Sequence, residues 1–274
     1  MRFDVVSSYA LRCVLNIAIC AVPLFLVLPF LGIVSASFSR TGALAFPPSD
    51  WTLHWYQSIP EPYFDALRYS LSLGAWTTAV VTVLGVPLSL ALARGRLPGS
   101  AAINSLCIAP LGVPTIVIAV AGFKFAMWIA DSWGYDLNGN SAGIVLMQVV
   151  FTLPLLLRSV IASFAHYDNT LDEAALNLGA TPWQVFWRVT VPLIVPGIVA
   201  GMLFAFVLSF DDVVVAWFMG DPGEPTLPVK LFTAMEVEFD NAITALSTLI
   251  VAIWAVVLFL LSRFFQLERM LTRR

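Results

Sequence analysis

Long apolar runs dominate the chain, and almost every charge falls between them. Six windows carry no charged residue at all: 13–39, 69–93, 97–123, 137–157, 189–210 and 241–262. A helix needs about 20 apolar residues to cross the hydrocarbon core of a bilayer, so each window predicts a membrane span. With flanking residues included, the spans run over about 13–39, 69–93, 101–130, 142–164, 190–219 and 241–265. The pattern predicts an all-α membrane protein, a six-transmembrane-helix bundle forming one domain over 1–274. The first run follows Arg2 and Arg12, and Ser35-Ala36-Ser37 resembles a signal cleavage site. Its apolar stretch exceeds the roughly 7–15 residues of a signal core, which predicts a retained helix. Prolines at 23, 29, 110, 114, 154, 192 and 196 fall inside the runs. Such prolines are tolerated where neighbouring helices satisfy the freed backbone groups, as in a transporter bundle.

The positions of Lys and Arg set the orientation. With the N-terminus in the cytoplasm, the inside holds Arg2, Arg12, Arg94, Arg96, Arg158, Arg188, Arg263, Arg269, Arg273 and Arg274. The outside holds only Arg40, Arg68, Lys124 and Lys230. Both termini are then cytoplasmic. Loops 40–68, 131–142 and 220–240 lie outside, and one longer loop, about 165–190, lies inside.

Composition agrees with this picture. Hydrophobic residues make up 59% of the chain and charged residues 11%, against about a quarter charged in soluble domains. The net charge of −3 and the lack of an internal basic run argue against nucleic acid as a partner. Cys13, Cys20 and Cys107 all sit in apolar stretches and read as small buried hydrophobes. A P-loop needs Gly-Lys-Ser/Thr, but the two lysines follow Phe123 and Val229. Any energy from nucleotide hydrolysis must therefore arrive from another chain.

The inner loop carries the densest punctuation. Thr170-Leu171-Asp172-Glu173 has the form of a capping box, and Leu171, Ala174, Ala175 and Leu178 follow at helical spacing. Gly179 suits a helix stop. Thr181-Pro182-Trp183-Gln184 then opens a second helix with an apolar stripe of Trp183, Phe186 and Trp187. A two-turn helix is unstable alone in water. Its alanine face must press on something: this protein's own helix ends, the lipid surface, or a soluble partner.

Glu173-Ala174-Ala175, Gly179, Val191-Pro192-Leu193 and Pro196-Gly197 resemble the EAA loop of binding-protein-dependent ABC importer permeases of type I. Val191 stands where that loop usually has Ile, a conservative departure. Ser209-Phe210-Asp211-Asp212-Val213-Val214-Val215 and Leu227-Pro228-Val229-Lys230 are similar to the branch serving spermidine and putrescine importers. The resemblance implies that Glu173, Ala174, Ala175 and Gly179 belong to a coupling loop docking on an ATPase. It also implies two ATPase subunits, a second related permease and a periplasmic solute-binding protein as partners, in a bacterial inner membrane. The chain itself then needs no cofactor, because ATP and Mg²⁺ bind the ATPase subunits, and it is a non-catalytic permease.

Other motifs carry less. Gly139-Asn140-Ser141-Ala142-Gly143 has the G-x-S-x-G form but lacks a strand–turn–helix context, and His54 and His166 are both distant in the topology. The same histidines exclude an H-E-x-x-H zinc site, and no metal site is expected. Gly197 and Gly201 form a G-x-x-x-G pair for close helix packing. Asp211 and Asp212 follow a 22-residue apolar run. Carboxylates there are expensive, so they are candidates for the translocation pathway; the other reading is that one only caps a helix kink or faces the aqueous headgroup region. Trp217 would add an aromatic face for a cation, or lie in the interfacial belt. Lys124 is expected to snorkel to the outer interface; the other reading is pairing with a carboxylate in the pathway.

Overall fold

The computed structural model describes residues 3–40, 47–48, 50–95, 98–164, 167–168, 170–237 and 241–271. Arg2, Arg96, His166, Arg273 and Arg274 lie outside the described residues. Contacts divide the chain into two units, residues 1–61 with 234–274, and residues 62–233.

In the first unit, α1 (Phe3–Ser37) packs on α12 (Asn241–Leu271), which also meets the short α2 (His54–Gln57). The α1 window 14–37 has no side chain buried over its most apolar stretch, as a helix bathed in lipid would. Beyond α1, Phe38 lies between Trp51 and Tyr56, with ring centres 5.7 and 5.4 Å away. The Trp55 indole donates to the Ser39 carbonyl at 2.9 Å. These aromatic contacts anchor the start of the loop that leaves the helix.

The second unit holds α3 (Glu61–Ala93), α4 (Ser100–Ile108), α5 (Thr115–Trp133), α6 (Ser141–Phe164), α7 (Thr170–Asn177), α8 (Pro182–Val185), α9 (Val191–Phe210), α10 (Val214–Met219) and most of α11 (Leu227–Val237). Among the described residues, five helical stretches are long and apolar enough to cross a membrane: 14–37, 61–93, 115–133, 141–164 and 182–210. α12 adds a helix of 31 residues. The buried core of the second unit gathers Leu73, Val81, Ile144, Leu156, Ile194 and Met219.

The tightest seam runs between α6 and α9, and the G-x-x-x-G pair lies on it. A methyl group at Gly201 would come within 2.8 Å of the Leu156 Cα, and one at Gly197 within 2.6 Å of the Ser159 carbonyl oxygen. Glycine lets the two backbones approach, and without a hydrophobic drive in lipid, that close packing is what holds such helices together.

Two of the expected spans are interrupted. The span 101–130 is α4, a tight turn at 109–112 and then α5. Val113 is extended, with ψ 129°, and Pro114 follows with ψ 135°. A proline drives its predecessor out of helical geometry, which breaks the run here. The span 190–219 stops at Phe210 and restarts at Val214. The outer segment 220–240, expected as a loop, contains α11. Thr226 supplies its first acceptor, to the Lys230 N–H at 2.8 Å, and Pro228 sits in the first turn where no donor is needed.

Candidate functional site

The inner loop is built as two short helices with distinct ends. Thr170 is the first helical residue of α7 rather than its cap, a departure from the expected box. The Asp168 carboxylate, two residues earlier, accepts from the Thr170 N–H at 2.9 Å. That same hydrogen bond holds the Asp168 carboxyl below its ordinary range. At the other end, Gly179 has φ +89°, while Ala180 N–H donates to Ala175 O at 3.1 Å and Gly179 N–H to Leu176 O at 2.9 Å. This is the Schellman stop, with glycine in the left-handed position. Thr181 and Gln184 then form the reciprocal capping box of α8, at 3.3 and 2.9 Å.

None of the α7 side chains is buried. Glu173 and Ala174 are exposed, Ala175 is half-buried, and Leu178 is 89% exposed. Trp183, Phe186 and Trp187 stack on one another with ring centres 5.2–6.0 Å apart, and both tryptophans remain exposed. Leu171, Leu176, Leu178, Trp183 and Trp187 together leave an exposed apolar patch on the loop. Behind it lies a cavity of about 460 Å³ walled by Arg94, Tyr167, Asp172, Glu173 and Phe186 among others.

Gly179 allows a clean test of this geometry. A side chain there would meet nothing within 4 Å, so the only obstacle is the backbone conformation. Left-handed geometry costs an ordinary residue about 1–2 kcal/mol, more for a β-branched one. Gly179→Val should insert normally yet lose ATPase co-purification and transport by about tenfold, the equivalent of about 1.4 kcal/mol. Gly179→Asn, which tolerates the conformation, should keep most of both. Wild-type behaviour of the valine variant would remove the loop from any docking role.

The second locus is the break between α9 and α10. Gln148 on α6 is fully buried and uses all of its hydrogen-bonding capacity. Its Oε1 accepts from Thr77 Oγ1 of α3 at 2.9 Å and from Ser209 Oγ at 2.5 Å. Its Nε2 donates to the Ser209 carbonyl at 3.1 Å and to Asp212 Oδ2 at 3.2 Å. Asp212 also accepts from the N–H groups of Val215 and Ala216, at 3.2 and 3.1 Å. Asp212 is thus a buried cap of α10. Within an apolar bundle every freed backbone group must find a partner, and Gln148 supplies one for the Ser209 carbonyl.

Asp211 is placed differently. It is exposed and faces an apolar groove of about 440 Å³ whose wall includes Pro110, Leu111, Val113, Phe151 and Leu155. The broken 109–114 segment therefore lies opposite the carboxylate. Trp217 lines a separate cavity with Asp221 and Val229 and sits edge-on to Phe232 at 6.1 Å. The structure brings Asp211 and Asp212 to one groove and sets Trp217 on another. Gln148 and Thr77 escaped sequence reasoning; a lone glutamine in an apolar run was the available signal.

The remaining motifs resolve into structure. Ser141 opens α6 and lies 3.2 Å from the Tyr69 hydroxyl, while Asn140 Oδ1 accepts from the Gly143 N–H at 3.0 Å. On the outer side Lys230 donates to the Pro62 carbonyl at 3.0 Å and lies over the Tyr63 ring at 5.3 Å. Lys124 is exposed on α5.

The described residues thus form a helical membrane protein with kinked spans and an exposed two-helix loop. A chain of the crystal structure of a bacterial ABC transporter involved in the import of the acidic polysaccharide alginate superposes with a TM-score of 0.71, covering 97% of this chain and 98% of that one at 16% identity. Residues 85–268 match the binding-protein-dependent transport system inner membrane component family, and the chain belongs to it. The putrescine transport system permease protein PotI of Escherichia coli K12 is 31% identical over 239 residues, spanning 86% of this chain and 85% of PotI. The spermidine/putrescine transport system permease protein PotC of Haemophilus influenzae is 26% identical over 84% of this chain and 87% of PotC. The protein is therefore an inner membrane component of a binding-protein-dependent transport system, a permease and, by its family, a non-catalytic subunit.

Proposed function

We propose that this chain forms half of the translocation pathway for a small cationic solute of the putrescine and spermidine class. The observation that carries the reading is Asp211, an exposed carboxylate facing the groove beside the 109–114 break, in a chain similar to PotI along most of its length. The uncovered α7, with Glu173, Ala174, Ala175 and the Gly179 stop, is the docking knob for one of two ATPase subunits, and ATP and Mg²⁺ bind there rather than here. A second, related permease completes the pathway as a heterodimer. A periplasmic binding protein delivers the solute. α1, α3, α5, α6, α9 and α12 are the six crossings, and the Lys/Arg asymmetry puts both termini in the cytoplasm.

The test is reconstitution of the whole importer with its ATPases and binding protein in proteoliposomes. Radiolabelled putrescine or spermidine should accumulate, and loaded binding protein should raise ATP hydrolysis. In the same preparation, cysteines placed at Gly139 and at the C-terminus should label from opposite sides. Stimulation by an anionic solute alone would overturn the cationic reading, and labelling of both cysteines from outside would overturn the topology.

A further inference from the structure

The cavity behind α7 contains a set of contacts that neither docking nor cargo binding uses. Arg94, just past the end of α3, donates from one guanidinium nitrogen to Asp172 Oδ2 at 3.3 Å and to Thr190 Oγ1 at 3.0 Å. The Tyr167 hydroxyl donates to the other oxygen of the Asp172 carboxylate and lies 3.2 Å from Thr190 Oγ1. Four residues from four segments close a ring: the end of α3, the 167–168 turn, the first turn of α7 and the entry to α9. Thr190 is fully buried.

The backbone is shaped to make this ring. Residues 186–190 form a wide π-helical turn, with the Val191 N–H donating to the Phe186 carbonyl. Such a turn inserts one residue into the helix and is frequent at functional sites. Here it lies immediately before α9, and its last residue, Thr190, is the one that meets Arg94 and Tyr167. Burial and the neighbouring Asp172 raise the Tyr167 pKa above its ordinary value, so the hydroxyl stays a hydrogen-bond donor through the physiological range. The Arg94–Asp172 pair is only partly exposed, at 31% and 21% of the side chains. It is therefore screened less than a surface pair.

We propose that Arg94, Tyr167, Asp172 and Thr190 form a clasp that makes α7 move together with the end of α3 and the start of α9. These are positioning residues for the transport cycle, and the inference rests on the reading of α7 as the ATPase docking knob. A force applied to a two-turn helix on a flexible loop would be lost in the loop. The clasp gives it two direct outlets. One is α3, whose Thr77 carries the buried Gln148 network. The other is α9, which ends at the Asp211 break. Coupling between distant sites requires such an element with rigid connections, and its strength is typically fivefold or more in the linked equilibrium.

The experiment uses the whole complex with Cys13, Cys20 and Cys107 replaced by Ala and Leu111→Cys as a reporter on the groove wall. Maleimide labelling is compared without nucleotide and with ATP plus vanadate, so no cargo is needed. With the clasp intact, the two labelling rates should differ. Arg94→Gln and Asp172→Asn should each shrink that difference at least about fivefold while the ATPase still co-purifies. Arg94→Lys keeps the charge and a single nitrogen able to donate to both partners, but on a shorter arm, so it should recover part of the response. An undiminished response in the Gln and Asn variants overturns the clasp, and so does an Arg94→Lys that recovers nothing. Loss in step with lost ATPase binding also overturns it, since the residues would then serve docking. An intact complex that binds ATPase but shows no nucleotide response leaves the clasp nothing to transmit and sinks it. A chain that never binds ATPase refutes instead the docking reading on which the clasp rests.

Discussion

Replacing Gln148 with Leu should clearly lower the thermal unfolding midpoint of the detergent-purified protein. The substitution conserves volume and adds apolar surface, which in an ordinary core would be neutral. Here it strips the Ser209 carbonyl of its donor and removes one of three donors from the buried Asp212 carboxylate. The Thr77 and Ser209 hydroxyls can turn back to carbonyls of their own helices, so their loss counts for less. An orphaned buried acceptor costs about 1–3 kcal/mol, and more when it is charged, which puts the total at about 2–4 kcal/mol. Gln148→Glu should be worse still. It keeps the acceptor side toward Thr77 and Ser209 but sets a second carboxyl against Asp212, and one of the two must then take up a proton. Unchanged unfolding midpoints in both variants would show that the break between α9 and α10 stands without Gln148.

What the sequence made legible divides by range. The stop of α7 and the start of α8 were readable because their chemistry is local: Gly179 needs only its own φ, and Thr181 meets Gln184 three residues on. The break at 109–114 had its prolines in view, yet an apolar run with proline reads equally well as a kinked span. The geometry at Val113 and Pro114 decides it, and that depends on packing. The Asp211–Val213 break was hidden for a different reason. Its key partner, Gln148, is 64 residues from Asp212, and nothing in the local pattern links them. Arg94 was visible only as a cytoplasmic charge, because Asp172 lies 78 residues away. The Gly197–Gly201 pair announced close packing without saying on what; Leu156 and Ser159 of α6 are the answer. The Thr170 cap misled because Asp168, two residues upstream, competes for the same helix start.

The two adjacent aspartates, identical as residue types, should answer to different measurements. Asp212→Asn keeps the size of the side chain but turns one acceptor into a donor where Gln148 and two backbone N–H groups already point in. It should lower the unfolding midpoint, by an amount worth about 1–2 kcal/mol. Asp211→Asn touches no buried partner and should leave the midpoint within about 0.5 kcal/mol of wild type, as surface substitutions do. Its effect should appear in uptake instead. Much of the groove wall is apolar, and an ammonium entering there trades water for the exposed carboxylate of Asp211. Low-dielectric walls strengthen that attraction relative to open solvent, where an exposed pair is worth under about 1 kcal/mol. Removing the charge should therefore raise the half-saturating putrescine concentration about tenfold, corresponding to about 1.4 kcal/mol, while assembly and basal ATP hydrolysis persist. Asp211→Glu should recover part of the loss, since the charge returns on a longer arm. Uptake by Asp211→Asn that matches wild type at sub-saturating putrescine would take Asp211 out of the pathway. If Asp212→Asn alone depressed uptake with its midpoint unmoved, the roles given to the two carboxylates would have to be exchanged.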